Sequence, residues 1–99
     1  MVHFINLEKE KNEADFIALI HTFTDIGNDY FEAKNYDKAE RIYQTILLFT
    51  SDYPIEQIKI HLKLSTLYQS NYSFDKVIQS LELAETVIQK VEIPKNDTK

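Results

Sequence analysis

The chain has 99 residues, 43% of them hydrophobic, and a formal net charge of -5, which is enough for one small core and too little for two. The acidic balance, with Arg41 the sole arginine among scattered lysines, argues against direct nucleic-acid binding, because phosphate contact needs clustered cations. With Cys 0, Gly 1 and Pro 2, a disulfide framework, a zinc–thiolate site and a thiol nucleophile are excluded, and a turn-rich sandwich or barrel has too few turn formers; the composition predicts an all-α protein, and cysteine-free chemistry fits a reducing, cytoplasmic compartment.

The first residues, Met1-Val2-His3-Phe4-Ile5-Asn6, lack the basic stretch and long apolar run of a signal peptide. Residues 1–11 read as a short N-terminal segment. The first main helix is expected over about 13–34, with Asn12 as its cap and Glu13 and Asp15 in its first turn. Phe16, Leu19, Ile20, Phe23, Ile26, Gly27 and Tyr30 step at threes and fours along one face. A second helix is expected over 36–50, inward at Ala39, Ile42, Tyr43, Ile46, Leu47 and Phe49. Ser51-Asp52-Tyr53-Pro54 punctuates the chain, and proline belongs in the first turn of a helix, so a third helix should run over 54–70. The fourth is expected over 74–92, ended by Pro94, with 94–99 a disordered tail. The longest apolar runs are only a few residues, as in Ile46-Leu47-Leu48-Phe49, far short of a membrane span. Short connections fold consecutive helices back on each other, so the chain reads as one domain of two helical hairpins.

The hairpins echo each other at a constant offset of 38 residues: Gly27 with Ser65, Tyr30 with Tyr68, Tyr36 with Phe74, Ala39 with Val77, Tyr43 with Leu81, Ile46 with Ala84. A fixed period in this range marks a stacked-repeat architecture. Gly27 and Ser65 are small where the first helix of a hairpin must admit the second. Tyr30, Tyr43, Tyr68, Tyr36 and Phe74 are expected to fill the space between.

Gly27-x-x-Tyr30, then Asn35-Tyr36-Asp37-Lys38-Ala39, then Tyr43 and Ile46, resemble a tetratricopeptide (TPR) repeat. Ser65-x-x-Tyr68 and Ala84 keep part of the pattern in a second, degenerate copy, and the resemblance covers residues 16–91. The period exceeds the usual spacing of about 34 residues by roughly one helical turn. Such long repeats resemble those of peptide-sensing regulators of Gram-positive bacteria and their phages. The resemblance implies a TPR-like stack whose function is protein or peptide binding. It also implies a concave groove lined by the first helix of each hairpin. By helical position the groove candidates are His21, Thr24, Asn28, Phe31 and Glu32, then Lys59, Leu62, Thr66 and Gln69. Asn28 stands where such proteins place an asparagine that bonds a peptide backbone. Thr24 replaces one of the cations that clamp a carboxylate in chaperone-binding relatives, which argues against binding chaperone tails.

Nothing in the pattern points to catalysis. His3, His21 and His61 have no zinc-ligand spacing, and no serine sits in a nucleophile elbow or beside a glycine-rich loop. No cofactor is expected. The fourth helix is apolar on more than one side. Two repeats bury their faces less completely than the three or so that normally stand alone. Ile78, Val87, Ile88 and Val91 are therefore expected to form an oligomer or partner surface. The leading expectation is a small adaptor or regulator that forms a homodimer or heterocomplex. The alternatives are a receptor for a signalling peptide in the groove around Asn28, and a secretion-type chaperone for a helical subunit.

Overall fold

A computed structural model describes the backbone of residues 2–97 and the side chains of residues 9–91. Four helices account for it: α1 (Val2–Glu32), α2 (Tyr36–Leu47), α3 (Pro54–Ser70) and α4 (Phe74–Asp97). No strand occurs among the described residues. The all-α expectation and its two hairpins hold. The closest packing is within the pairs α1–α2 and α3–α4, and α2 joins the pairs by packing on α3.

Three boundaries differ from expectation by more than two residues. Asn12 caps nothing; α1 runs unbroken from Val2 for 31 residues, so residues 2–11 are its first turns and not a separate segment. No Gly or Pro occurs before Gly27, and Lys9 with Glu13 and Lys11 with Asp15 place opposite charges one turn apart. α2 stops at Leu47 rather than at residue 50. Its last turn tightens into i→i+3 bonds, Leu48 N–H to Thr45 at 3.1 Å and Phe49 N–H to Ile46 at 2.9 Å. Thr50 is fully buried in the turn, its hydroxyl donating to the Leu47 carbonyl at 3.2 Å. At the other end α4 passes through Pro94 to Asp97, so the predicted tail is helical that far; Thr98 and Lys99 lie outside the described residues. A proline this close to a helix end removes one late hydrogen bond without stopping the turn.

The hairpin turns repeat in geometry as well as in sequence. Lys34 and Tyr72, 38 residues apart, both have positive φ, 64° and 60°. Around the first, Lys34 N–H bonds the Phe31 carbonyl and Asn35 N–H the Tyr30 carbonyl, both at 2.9 Å. Around the second, Tyr72 N–H bonds Gln69 at 3.2 Å and Ser73 N–H bonds Tyr68 at 2.8 Å. Each pair is a Schellman closure, with a left-handed residue ending the helix. Asn35 then starts α2, its side chain accepting from Lys38 N–H at 3.4 Å. Lys38 lies over the Tyr30 ring and Lys76 over the Tyr68 ring, each at 5.5 Å.

The core is one cluster that crosses both hairpins: Ile20, Ala39, Tyr43 and Ile46 with Ile60, Leu64, Leu67 and Tyr68. Gly27 lets α2 approach. A Cβ there would sit 2.7 Å from the Tyr43 ring and 3.2 Å from the Ile42 side chain. Tyr43 is buried and Tyr36 half-buried as expected, whereas Phe74 is exposed.

Candidate functional site

Four surfaces carry the chemistry. The first lies along α1 and α3, where the groove was expected. His21 Nε2 is 3.0 Å from Glu56 Oε1, linking α1 to the first turn of α3, and Glu56 Oε2 is 4.0 Å from Lys59. Lys59, Leu62 and Thr66 come together with Lys63 around a shallow depression of about 310 Å³. Thr24 is half-buried and donates to the Ile20 carbonyl at 2.8 Å; Thr66 donates to Leu62 at 3.2 Å. The carbonyl end of Asn28 is engaged, because the Tyr43 hydroxyl donates to its Oδ1. Phe31 sits at the hairpin corner, its ring 5.6 Å from Tyr36, and packs against the core. Glu32 is exposed at the end of α1. Its charge adds to burial in raising the Tyr43 hydroxyl pKa. Gln69 is exposed in the last turn of α3.

The second surface is a polar seam of about 300 Å³ where α2 meets the second hairpin. The Tyr68 hydroxyl donates to Glu40 Oε2 at 2.6 Å and accepts from Gln44 Nε2 at 3.2 Å. Burial, then the bond to Glu40 and its charge, push the Tyr68 pKa up to about 12. His61 also lines the seam, buried, with no hydrogen-bond partner at Nδ1. Burial lowers its pKa, because a charge there would lose its hydration. These groups are spent on joining the hairpins.

The third surface falls on residues that helical periodicity places on the inward faces of α1 and α2. Phe16, Leu19, Phe23, Ile42 and Phe49 line an open cleft of about 320 Å³ between α1 and α2, with Arg41 and Thr45 on its α2 side. Leu19, Phe23 and Phe49 are all substantially exposed. A hydrophobic stripe has the same pattern whether a neighbour covers it or not, so periodicity could not reveal the opening. The signal available was the width of the stripe, which exceeds what one facing helix covers.

At the far end, Leu62, Ile78, Leu81 and Ile88 line a depression of about 400 Å³ with Glu82 and Glu85. Ile78 and Ile88 are exposed as expected, and Val91 is half-exposed. Val87 is a correction: it is buried and offers no surface. It stands one residue, about 100° of helix rotation, from Ile88.

Among the described residues no helix is long and apolar enough to cross a membrane, and no three His, Asp or Glu side chains group as a metal site would need. No protein-family model, curated protein or solved structure matches the chain.

Proposed function

We propose that this chain is a small TPR-like interaction protein that acts in the cytoplasm as an adaptor or regulator, and that its principal binding surface is the α1–α2 cleft. The carrying observation is that cleft: an apolar channel between two helices, lined by Phe16, Leu19, Phe23, Ile42 and Phe49 and open to solvent. A monomeric surface seldom leaves so contiguous an apolar face uncovered without a partner for it. Each Å² removed from water there contributes about 25 cal/mol. The dimensions suit the apolar face of a helix, read at i, i+3, i+4 and i+7. The 38-residue recurrence of turns, caps and cation–aromatic contacts supports the repeat assignment. No catalytic role is proposed.

The peptide-receptor alternative depended on Asn28, whose carbonyl oxygen already accepts from Tyr43. A peptide would find only the amide nitrogen, or would have to displace an internal bond, so this reading ranks second.

The test is affinity purification of wild type and Phe23→Glu from the native cell, with mass spectrometry. A specific partner should be captured by wild type and lost from the variant, while circular dichroism of the two is the same. Equal capture by both would remove the cleft from the proposal, and Asn28→Ala would then be the variant to compare.

A further inference from the structure

Because the two hairpins repeat at 38 residues, each half of the contact between them has an image at one end of the molecule. On α2, Glu40, Gln44 and Leu47 face the second hairpin across the polar seam. Their images on α4 are Ile78, Glu82 and Glu85, which line the depression at the far end. The neighbouring pair Tyr43 and Thr50 is buried, and its images Leu81 and Ile88 are exposed. The receiving half behaves the same way. His61 is 7% exposed and its image Phe23 44%; Val87 is 8% and its image Phe49 55%. Leu64 is buried and its image Ile26 exposed. The internal interface is thus present twice more as unmated halves: a receiving cleft on the first hairpin and an inserting face on α4.

Resting on the reading of the cleft as a binding surface, we propose that its occupant is α4 of a second copy of this chain, docked head to tail in the register that α2 uses on the second hairpin. Continuity with the existing interface is the first argument. Charge is the second. Arg41 lines the cleft, and the opposite face carries Glu82 and Glu85. In the internal contact Gln44 reaches Tyr68 beneath Lys76. The imaged contact sets Glu82 of one copy beside Tyr30 of the next, beneath Lys38. Apolar area is the third: Ile78, Leu81 and Ile88 meet Phe23, Ile26 and Phe49, where the internal seam is polar. The two faces differ, so the contact is heterologous and does not close at a dimer.

Sedimentation velocity on the full chain over a wide concentration range tests this. The weight-average mass should climb past that of a dimer. Phe23→Glu disables the cleft and Ile78→Glu the inserting face, both at exposed positions, and each variant alone should be monomeric. Mixed together they retain one good face each and should form a one-to-one heterodimer and nothing larger. Arg41→Glu, a milder change, should weaken assembly, and Glu82→Arg in the same chain should restore it. A wild type that is monomeric throughout, a closed dimer, or a mixture that stays monomeric overturns the proposal. If the wild type is monomeric and Phe23→Glu still abolishes capture of a cellular partner, self-docking fails while the cleft stands as a binding surface. If that capture is also unaffected, both fail.

Discussion

Lys34 and Tyr72 carry the backbone cost of the two hairpin turns. Left-handed φ in a residue with a Cβ costs roughly 1–2 kcal/mol, and glycine is the usual occupant of this Schellman position. Lys34→Gly should therefore raise stability by about 0.5–1 kcal/mol, read as a higher urea midpoint at unchanged m-value; a lower midpoint would show that the lysine side chain contributes more than its backbone costs. Gly27 poses the opposite case. Gly27→Ala drives a methyl into the Tyr43 ring and should cost about 1–3 kcal/mol by overpacking. The second hairpin pairs Ser65 with Leu81 at the same two positions, so Gly27→Ala with Tyr43→Leu should recover part of the loss in a double-mutant cycle. Strict additivity would mean the two sites do not meet. His61 and Tyr68 set the pH limits. The folded pKa of His61 lies below its ordinary value near 6.5, so the unfolded chain binds the proton first; the stability this group permits is complete above about pH 6.5 and declines as pH falls below it. Tyr68, raised to about 12, loses its contribution as pH climbs from about 10 towards 12. His61→Gln should flatten the acid limb and Tyr68→Phe the alkaline one in urea titrations across pH; an unchanged acid limb in His61→Gln would assign it to the carboxylates.

Among the elements, α1 is the outlier. Its 31 residues make a helix about 46 Å long at 1.5 Å per residue, against 12 residues for its partner α2. Lys9 to Asp15 are all exposed, so this part of the helix holds its shape through backbone bonds without tertiary burial. Amide exchange should be fast through Asp15 and slow down sharply from about Ile20, where burial begins. Uniform protection along α1 would mean that something covers its first half. α3 was the most legible element, because a first helical turn accepts proline, where Pro54 stands, and Asn71-Tyr72-Ser73 closes it. The start of α1 was not legible, since Asn12 is a good cap only when the chain before it is not already helical.

The whole molecule is held by few residues that serve both hairpins. Leu64 is buried in the cluster shared with Tyr43 and Ile46, so Leu64→Ala should cost about 2–5 kcal/mol in a single cooperative transition. Ile26, its exposed counterpart on α1, should cost well under half as much as Leu64 when cut to alanine in dilute solution. Two separate transitions in Leu64→Ala would show that the hairpins fold independently. The extents of 53 × 35 × 16 Å describe a thin slab. The cleft and the α4 face are the apolar surfaces this slab leaves open.

Local grammar written in the chain determined the helices, their turns and the 38-residue echo, because helix periodicity, proline placement and turn closure depend on near neighbours and survive without knowledge of the fold. It also marked Gly27 as the point of close approach. Which apolar positions end up under a neighbour was decided by tertiary packing. Phe23 and His61, or Phe49 and Val87, occupy equivalent places in the echo and have opposite fates, since only the second hairpin has an α2 laid against it. Burial is a property of pairs of surfaces. A single strand of sequence specifies one surface at a time, so the unmated cleft on the first hairpin and the unmated face of α4 came into view only when the helices were stacked.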